Sequence, residues 1–205
     1  VNVDNLTAQS AVDGLTALGD LIHNGYMDKE CVNWTQGDAW YQFCTGKAAM
    51  VECGTWHLAM TGDINNSFNY DFCLLPTGDE GTSTSTIGGE NFGVCSGAAD
   101  VDACVEFLKW MCSKENEAKW AVTAGKIPTR SDSVAEYTYE LDGFATFVDQ
   151  MNYAQARGPH AEWPTISEAV YTAAQSVFID NTDPAEALAK AMETIAPIVA
   201  ENPLP

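Results

Sequence analysis

The sequence predicts an α/β domain covered by helices, and three observations lead to that prediction. Short apolar runs with strand character alternate with longer segments of helical periodicity. Several helices are predicted for each strand, which is typical of a sheet with helices packed over it. Apolar residues make up 46% of the 205 residues, enough to fill a buried core.

Two helices are predicted near the start of the chain. Residues 7–23 form the first, because Asn24-Gly25 follows as a left-handed stop and apolar residues recur at helical spacing. These apolar residues are Val12, Leu15, Leu18, Leu21 and Ile22. Asp38 is the predicted N-cap of a second, short helix that ends at Gly46.

The predicted strands lie in the middle of the chain. Residues 47–53 and 71–75 have strand character, and the second run ends at Pro76, which lacks a donor for a ladder. Residues 77–89 are rich in glycine, serine and threonine without periodicity, which predicts an exposed crossing or hinge loop. Residues 91–95 form a further predicted strand.

Two more helices are predicted after these strands. Asp100 is the N-cap of the first, whose apolar face carries Val101, Cys104, Leu108 and Met111. The second covers residues 115–124 and stops at Gly125. Residues 126–130 are then extended, because a residue that precedes proline avoids the α region.

The last part of the chain is predicted to be mostly helical. Helices are expected at residues 141–155 and 165–180. The sharpest local signal is Asp183-Pro184-Ala185-Glu186, which combines an N-cap aspartate, a proline at the first helical position and a capping-box glutamate. Pro197 is expected to end or kink this last helix near Ala196.

The charge balance excludes several classes of partner. With 29 acidic and 9 basic residues, the chain carries a formal charge of −20, which repels nucleic acid and anionic lipid. No apolar run approaches the ~18 residues that a membrane span requires. Val1 does not open a signal sequence, so the protein is expected either to be cytosolic or to have a targeting segment that this chain lacks.

The cysteines predict neither a disulfide framework nor a zinc site. There are seven, and they form no C-x-x-C pair and have no histidine at metal-ligand spacing. Small buried apolar side chains are the expected role of Cys31, Cys44, Cys53, Cys73, Cys95, Cys104 and Cys112.

No residue pattern favours catalysis or a cofactor. The three histidines, His23, His57 and His160, have no serine or cysteine in a recognisable nucleophile motif. Paired carboxylates could hydrolyse a glycosidic bond, but an acidic chain produces such sets by chance. The candidate carboxylates are Glu52, Glu90 and Glu162. Gly88-Gly89 lacks the Gly-Lys-Ser/Thr of a phosphate loop.

Two of the six tryptophans are candidates for ligand contact. Trp40, Trp110 and Trp120 lie on predicted helices, where a core position is expected. Trp56 and Trp163 instead lie at the ends of elements beside glycine or proline, where an indole ring can face a cleft. An aromatic face can stack on the apolar face of a sugar ring. A core position and a ligand contact both stay open for these two residues.

The order of segments along the chain resembles the extracellular sugar-binding proteins of ABC transporters, family 1. The resemblance covers nearly all of the chain and rests on several motifs in the same order. They are residues 43–50, Gly54-Thr55-Trp56, residues 70–76, Ile87-Gly88-Gly89, residues 106–111, Gly125-Lys126-Ile127-Pro128-Thr129-Arg130 and residues 183–188.

This resemblance implies a type II periplasmic-binding-protein-like fold, in which two α/β lobes joined by hinge strands close on a ligand. Family members are about twice as long, so the chain is expected to be the C-terminal half, without the first lobe and its lipoprotein signal. Residues 1–86 and 130–205 would form the helix-rich C-terminal lobe. Residues 87–129 would be an excursion that packs on the N-terminal lobe. Apolar faces left uncovered there would favour self-association, through Phe92, Val94, Phe107 and Leu108.

The resemblance also implies a set of ligand-binding residues. Trp56 matches the Gly-x-Trp aromatic that contacts the sugar in many relatives, and Gly88, Gly89 and Glu90 match the second crossing between the lobes. Trp163 is matched less securely, and Arg157 is either a polar contributor there or a surface charge. The full set is Trp56, Gly88, Gly89, Glu90, Trp163 and Arg157.

The implied function is capture of a sugar or oligosaccharide outside the cell and its delivery to the permease of an ABC transporter. No covalent chemistry, metal or cofactor is expected, and only a lipid anchor on the absent N-terminus would attach the protein to a membrane. A binding protein for a polyamine, a peptide or a metal is the alternative within the same fold. A glycoside hydrolase or an adhesion module is the alternative of a different class.

Overall fold

A computed structural model describes residues 3–65, 68–78, 81–136, 141–157 and 159–202. The chain divides into two compact units, and the first combines both ends of the chain, Val1–Thr35 and Arg157–Pro205. The second is the continuous segment Gln36–Ala156. These boundaries differ from the predicted ones at residues 86 and 129, and the assignment of segments to lobes stays a prediction.

The first unit is entirely helical in its described residues. It contains two 3₁₀ helices and three α-helices, which we label α1, α7 and α8 by their order in the whole chain. In sequence order these are the 3₁₀ helix Val3–Thr7, α1 (Gln9–His23), the 3₁₀ helix Lys29–Asn33, α7 (Trp163–Asp180) and α8 (Pro184–Glu201). All three α-helices were predicted, and the bounds of α1 and α7 and the start of α8 lie within two residues of the predicted ones.

The core of the first unit lies between α7 and α8. Its buried residues are Ile166, Ala173, Val177, Ala187, Ala191 and Ile195. Alanines at three of these positions let the two helix backbones approach each other, and Ile195 fills the space with a fully buried side chain. Asn181 ends α7 in the left-handed conformation, with φ of 57°. Asp183 then begins α8 as predicted, since its Oδ1 accepts from Ala185 N at 3.0 Å and from Glu186 N at 3.1 Å.

In its described residues the second unit contains five short α-helices, two 3₁₀ helices and one two-stranded sheet. Its elements are α2 (Gln36–Cys44), the 3₁₀ helix Thr55–Asp63, β1 (Ser85–Ile87), α3 (Val101–Met111), α4 (Lys114–Ala124), α5 (Ser131–Glu136), α6 (Phe144–Gln150), the 3₁₀ helix Met151–Tyr153 and β2 (Ala154–Ala156). The capped helix α3 and the helix α4 were predicted. Asp100 caps α3 by accepting from Ala103 N at 2.9 Å.

Aromatic contacts build the core of the second unit. Trp40 and Cys44 of α2 are buried with Ile64. Phe43 extends this cluster, with ring centroids 5.7 Å from Phe68 and 6.5 Å from Tyr70 in edge-to-face geometry. These contacts fix residues 68–72 against α2.

The small sheet is held by a buried glutamine. β1 and β2 are parallel and pair Ser85 with Ala154 and Ile87 with Ala156. Gln150, at the end of α6, accepts through Oε1 from Leu75 N and from Ser83 Oγ, both at 3.0 Å. Its Nε2 donates to the Ser83 carbonyl at 3.2 Å. Because Gln150 and Ser83 are buried, the glutamine fixes the chain that enters β1.

The predicted strands are wrong in this structure. Residues 47–53, 71–75 and 91–95 form no ladder, and the first and second are held by side-chain packing on α2 and α6 instead. The predicted loop 77–89 in turn contains β1. A strand needs a partner, and local apolar character does not say which segments will meet.

Three helix predictions need correction. The helix at 141–155 is shorter, because α6 ends at Gln150 and residues 154–156 pair as β2. Asp38 lies inside the first turn of α2 and is not its N-cap. Pro197 does not end α8, which continues to Glu201 because Ile198 and Val199 beyond the proline pack on the core.

Helix α3 has no buried residue along its whole length. Phe107 and Trp110 are 56% and 62% exposed, and their rings stack on each other with centroids 5.9 Å apart. The predicted exposure of this segment is therefore found at Phe107 and Phe92, while Val94 and Leu108 are half-buried. None of the described helices is long and apolar enough to cross a membrane.

Candidate ligand-binding site

Trp56 lies in the first turn of the 3₁₀ helix Thr55–Asp63, and its side chain is 38% exposed. The ring is held against Gly54. A Cβ at Gly54 would lie 2.1–2.4 Å from three adjacent outer carbons of the indole. Nearly equal distances to adjacent carbons place that position over the ring face and not beyond its edge. Only glycine therefore allows the ring to pack on the backbone here.

Lys126 reaches the same ring from the end of α4. Its Nζ lies over Trp56, 4.9 Å from the ring centroid, within the range of a cation–π contact. Gly125 directs the lysine there, because it ends α4 in the left-handed conformation with φ of 62°. A Cβ on Gly125 would be 2.6 Å from the Thr55 carbonyl oxygen. The end of α4 therefore packs directly on the backbone of the Trp56 segment.

The chain after Lys126 is also anchored. Glu117 of α4 accepts from Thr129 Oγ1 at 2.9 and 3.0 Å and from Arg130 N at 3.1 Å. Arg130 in turn makes a bidentate ion pair with Asp132, with bonds of 2.9 and 2.7 Å. Both ends of the short segment 126–130 are thus fixed to α4 and α5.

Glu90 completes a cluster with Lys126 and Trp56. Its Oε1 is 3.7 Å from Lys126 Nζ, and the side chain of Glu90 is 81% exposed while that of Lys126 is 28% exposed. Gly88 and Gly89 follow β1 directly and are exposed, and a Cβ at Gly89 would contact nothing within 4 Å. At the predicted crossing, the exposed backbone of Gly88 and Gly89 therefore lies next to the carboxylate of Glu90.

His57 belongs to the core and not to this cluster. It is buried, and its ring stacks on Trp40 with centroids 4.6 Å apart. Neither His57 Nδ1 nor Trp40 Nε1 has a hydrogen-bond partner among the described residues. Burial lowers the pKa of His57, with a smaller opposing effect from the Gly54 backbone, so the imidazole is neutral at pH 7.

The seven cysteines are free thiols. Cys53 precedes the Gly54-Thr55-Trp56 motif, and burial, with the charge of Glu52, raises its pKa to about 11. A protonated thiol is a poor nucleophile. Within the described part of the chain, no group of three or more candidate side chains could hold a metal ion.

Trp163 and Arg157 belong to the first unit. Trp163 opens α7, is half-buried and packs against the α7–α8 core. His160 lies just before this helix, and its Nδ1 accepts from Glu162 N at 3.0 Å, which leaves Nε2 as the donor to the Asn202 carbonyl at 3.1 Å. Arg157 follows β2 and is exposed.

The structure thus brings two of the sequence-predicted residues, Trp56 and Glu90, to one lysine. Sequence reasoning missed Lys126 as a site residue. The predicted helix stop at Gly125 and the extended run after it were the available signals, because they place a lysine at the end of a helix. No local pattern indicates that residue 126 meets residue 56.

Comparison with known proteins gives two findings. A protein-family model described as bacterial extracellular solute-binding protein matches residues 1–146, well over half of the chain. Among solved structures, the chain is similar to the crystal structure of a cyclic alpha-maltosyl-1,6-maltose binding protein from Arthrobacter globiformis. The TM-score is 0.69 at 21% sequence identity, and the match covers 96% of this chain and 50% of the other.

At that level of identity the similarity establishes the fold, and the predicted fold class is confirmed. The chain spans about half the length of the protein that it matches. The matched family and this structural neighbour are described as binding proteins, not as enzymes.

Proposed function

The chain belongs to the family of bacterial extracellular solute-binding proteins, and from this we propose that it binds a sugar or oligosaccharide through Trp56. The observation that carries the proposal is the cluster at the end of α4. An exposed part of an indole ring lies beside an ammonium donor and a carboxylate acceptor. Sugars combine an apolar ring face with hydroxyl groups at its rim, and this cluster offers a partner for each.

The remaining predicted residues have roles that suit the same ligand. Gly88 and Gly89 leave backbone groups accessible to hydroxyls, since no side chain covers them. Trp163 and Arg157, in the first unit, are also proposed as ligand contacts, since they offer an aromatic surface and several hydrogen-bond donors.

The wider role that we propose follows from the family. Extracellular solute-binding proteins present their ligand to a membrane permease, so the ligand would pass to the permease subunits of an ABC transporter. We place the protein outside the cell, at the surface as a lipoprotein or in the periplasm. The binding mechanism would be closure of two lobes around the ligand, without covalent chemistry.

The test is isothermal titration calorimetry of the chain against a panel of neutral mono- and oligosaccharides, with spermidine and a short peptide as other solutes. We expect heat of binding from at least one sugar, and we expect Trp56→Ala to weaken it about tenfold, as the loss of one stacked ring would. Trp120→Ala is the matched control, because Trp120 is exposed on α4 outside the cluster.

Binding of spermidine or the peptide, with no response to any sugar, would contradict the proposal in favour of another solute. Release of reducing ends from an oligosaccharide would contradict it in favour of a hydrolase. Equal effects of the Trp56 and Trp120 variants would remove Trp56 from the binding site.

A further inference from the structure

The ammonium of Lys126 has hydrogen-bond donors that no described residue accepts. Its side chain is mostly buried, yet its closest carboxylate oxygen, on Glu90, is 3.7 Å away, beyond hydrogen-bond distance. Lys109 on α3 shows the contrast, because its Nζ donates to Glu106 at 2.7 Å while both side chains are largely exposed. In the described chain no oxygen accepts a hydrogen bond from the Lys126 ammonium.

The position of this ammonium is fixed by its surroundings. The left-handed Gly125 packs against the Thr55 carbonyl on one side, and Glu117 holds Thr129 and Arg130 on the other. The Trp56 ring also attracts the positive charge of Lys126, whose Nζ lies 4.9 Å from the ring centroid. A donor held in place before a ligand arrives loses little conformational entropy on binding.

We infer that Lys126 and Glu90 together form hydrogen bonds with two hydroxyl groups of a neutral sugar ring bound at Trp56. Lys126 donates to one hydroxyl oxygen, and the Glu90 carboxylate accepts from a neighbouring hydroxyl. This inference rests on the proposed function and adds to it a residue outside the predicted set, Lys126, and a ligand class.

The charges favour a neutral sugar over an acidic one. The Glu90 carboxylate can only accept hydrogen bonds, so its ligand group must be a donor. The ionised carboxylate of an acidic sugar is not a donor. A sugar carboxylate drawn to Lys126 would also approach the Glu90 carboxylate, which lies 3.7 Å from the same ammonium. The formal charge of −20 opposes the approach of any anion to this protein.

The experiment compares glucose with glucuronate and galactose with galacturonate, and adds maltose as a neutral disaccharide. Calorimetry is run on the wild type and on Lys126→Met, which keeps an apolar stem of similar length but has no donor. We expect the wild type to bind the neutral member of a pair at least tenfold more tightly than the acidic member. We expect Lys126→Met to bind the neutral sugar about ten- to a hundredfold more weakly, the effect of losing a charged donor.

Two further variants separate recognition from packing. Lys109→Met removes the same charge on α3 and is expected to bind like the wild type. Lys126→Arg keeps the charge and the donors and is expected to recover part of the lost affinity. Circular dichroism of each variant checks that the helices are intact.

Unchanged sugar affinity in Lys126→Met, or a uronate that binds as tightly as its neutral counterpart, would overturn this inference while leaving sugar binding itself in place. A wild type that binds none of the sugars would overturn the proposed function, and the inference with it. The two failures are therefore distinguishable.

Discussion

At the scale of single residues, the stacked pair of Trp40 and His57 shows that a histidine ring can be a buried part of the core. The two ring centroids are 4.6 Å apart, and both residues are buried. An imidazole in such a place stays neutral, because burial removes the water that would solvate a charge and Nδ1 has no hydrogen-bond partner among the described residues. Its neighbour in sequence, Trp56, is exposed, so of two adjacent residues in one 3₁₀ helix one packs in the core and the other is the proposed ligand contact.

This pair predicts a pH dependence of stability. Burial lowers the pKa of His57 from the ordinary value of 6.5, so the unfolded chain binds the proton more readily than the folded one. The contribution of His57 is therefore complete above pH 6.5 and is lost as the pH falls below it. The slope can reach at most ~1.4 kcal/mol per pH unit for one proton.

The measurement is urea denaturation of the wild type and of His57→Phe between pH 5 and pH 8. The phenylalanine keeps a ring against Trp40 but cannot titrate, so the difference in unfolding free energy between the two proteins should change below pH 6.5. His23→Gln, at an exposed histidine on α1, should follow the wild type. A difference that is constant across this pH range would show that His57 does not titrate differently on folding.

From residue type alone, it was not possible to tell which histidines and tryptophans pack in the core and which are exposed at the candidate site. His57 directly follows Trp56 in the sequence, yet its ring packs in the core. The side of a 3₁₀ helix that a residue occupies depends on how the whole segment packs. Contact between residues 56 and 126 likewise depends on tertiary structure.

At the scale of elements, helices were predictable and strands were not. Helix ends carry local chemistry, such as the side chains of Asp100 and Asp183 bonded to backbone donors two or three residues later. The pairing of β1 with β2 joins segments almost 70 residues apart, and three polar or small residues in a row, as in Ala154–Ala156, give no strand pattern. The signal for this sheet is therefore absent from both of its strands.

Gln150 is expected to control the stability of this sheet. In Gln150→Leu the side chain would still fill the space, but the part-buried Leu75 amide and the buried Ser83 hydroxyl would lose their acceptor. We expect a loss of about 2–4 kcal/mol in unfolding free energy, at ~1–3 kcal/mol for each buried polar group left unpaired. Chemical denaturation measures it.

Gln155→Leu is the matched control, because Gln155 is exposed on β2 and should change stability by less than about 0.5 kcal/mol. Equal effects of the two substitutions would show that the buried hydrogen bonds of Gln150 do not stabilise the fold.

At the scale of the whole molecule, net charge and exposed apolar surface oppose each other. A formal charge of −20 keeps copies of the chain apart, while Phe107 and Trp110 on α3 present stacked apolar rings to solvent. Added salt shortens the range of the repulsion to ~3 Å at 1 M but leaves the apolar attraction in place. The salt concentration should therefore control whether charge repulsion or apolar attraction between copies of the chain is stronger.

We expect the weight-average mass in sedimentation equilibrium to rise with protein concentration, and to rise further when salt is increased. Phe107→Gln should reduce this association severalfold by removing one of the two stacked rings. Asp102→Asn, on the same helix, should not reduce it, because it lowers the repulsion. A monomer at every concentration and salt level would contradict the expected self-association through α3.

The division of the chain into two units also bears on its synthesis. All six buried residues of the cluster between α7 and α8 lie after residue 157, whereas the second unit is one uninterrupted segment. A ribosome makes proteins from the N-terminus, so residues 36–156 emerge together before the first unit has this cluster. The apolar face of helix α1, which contacts α7 and α8 in the folded unit, therefore has neither partner until those two helices have been translated.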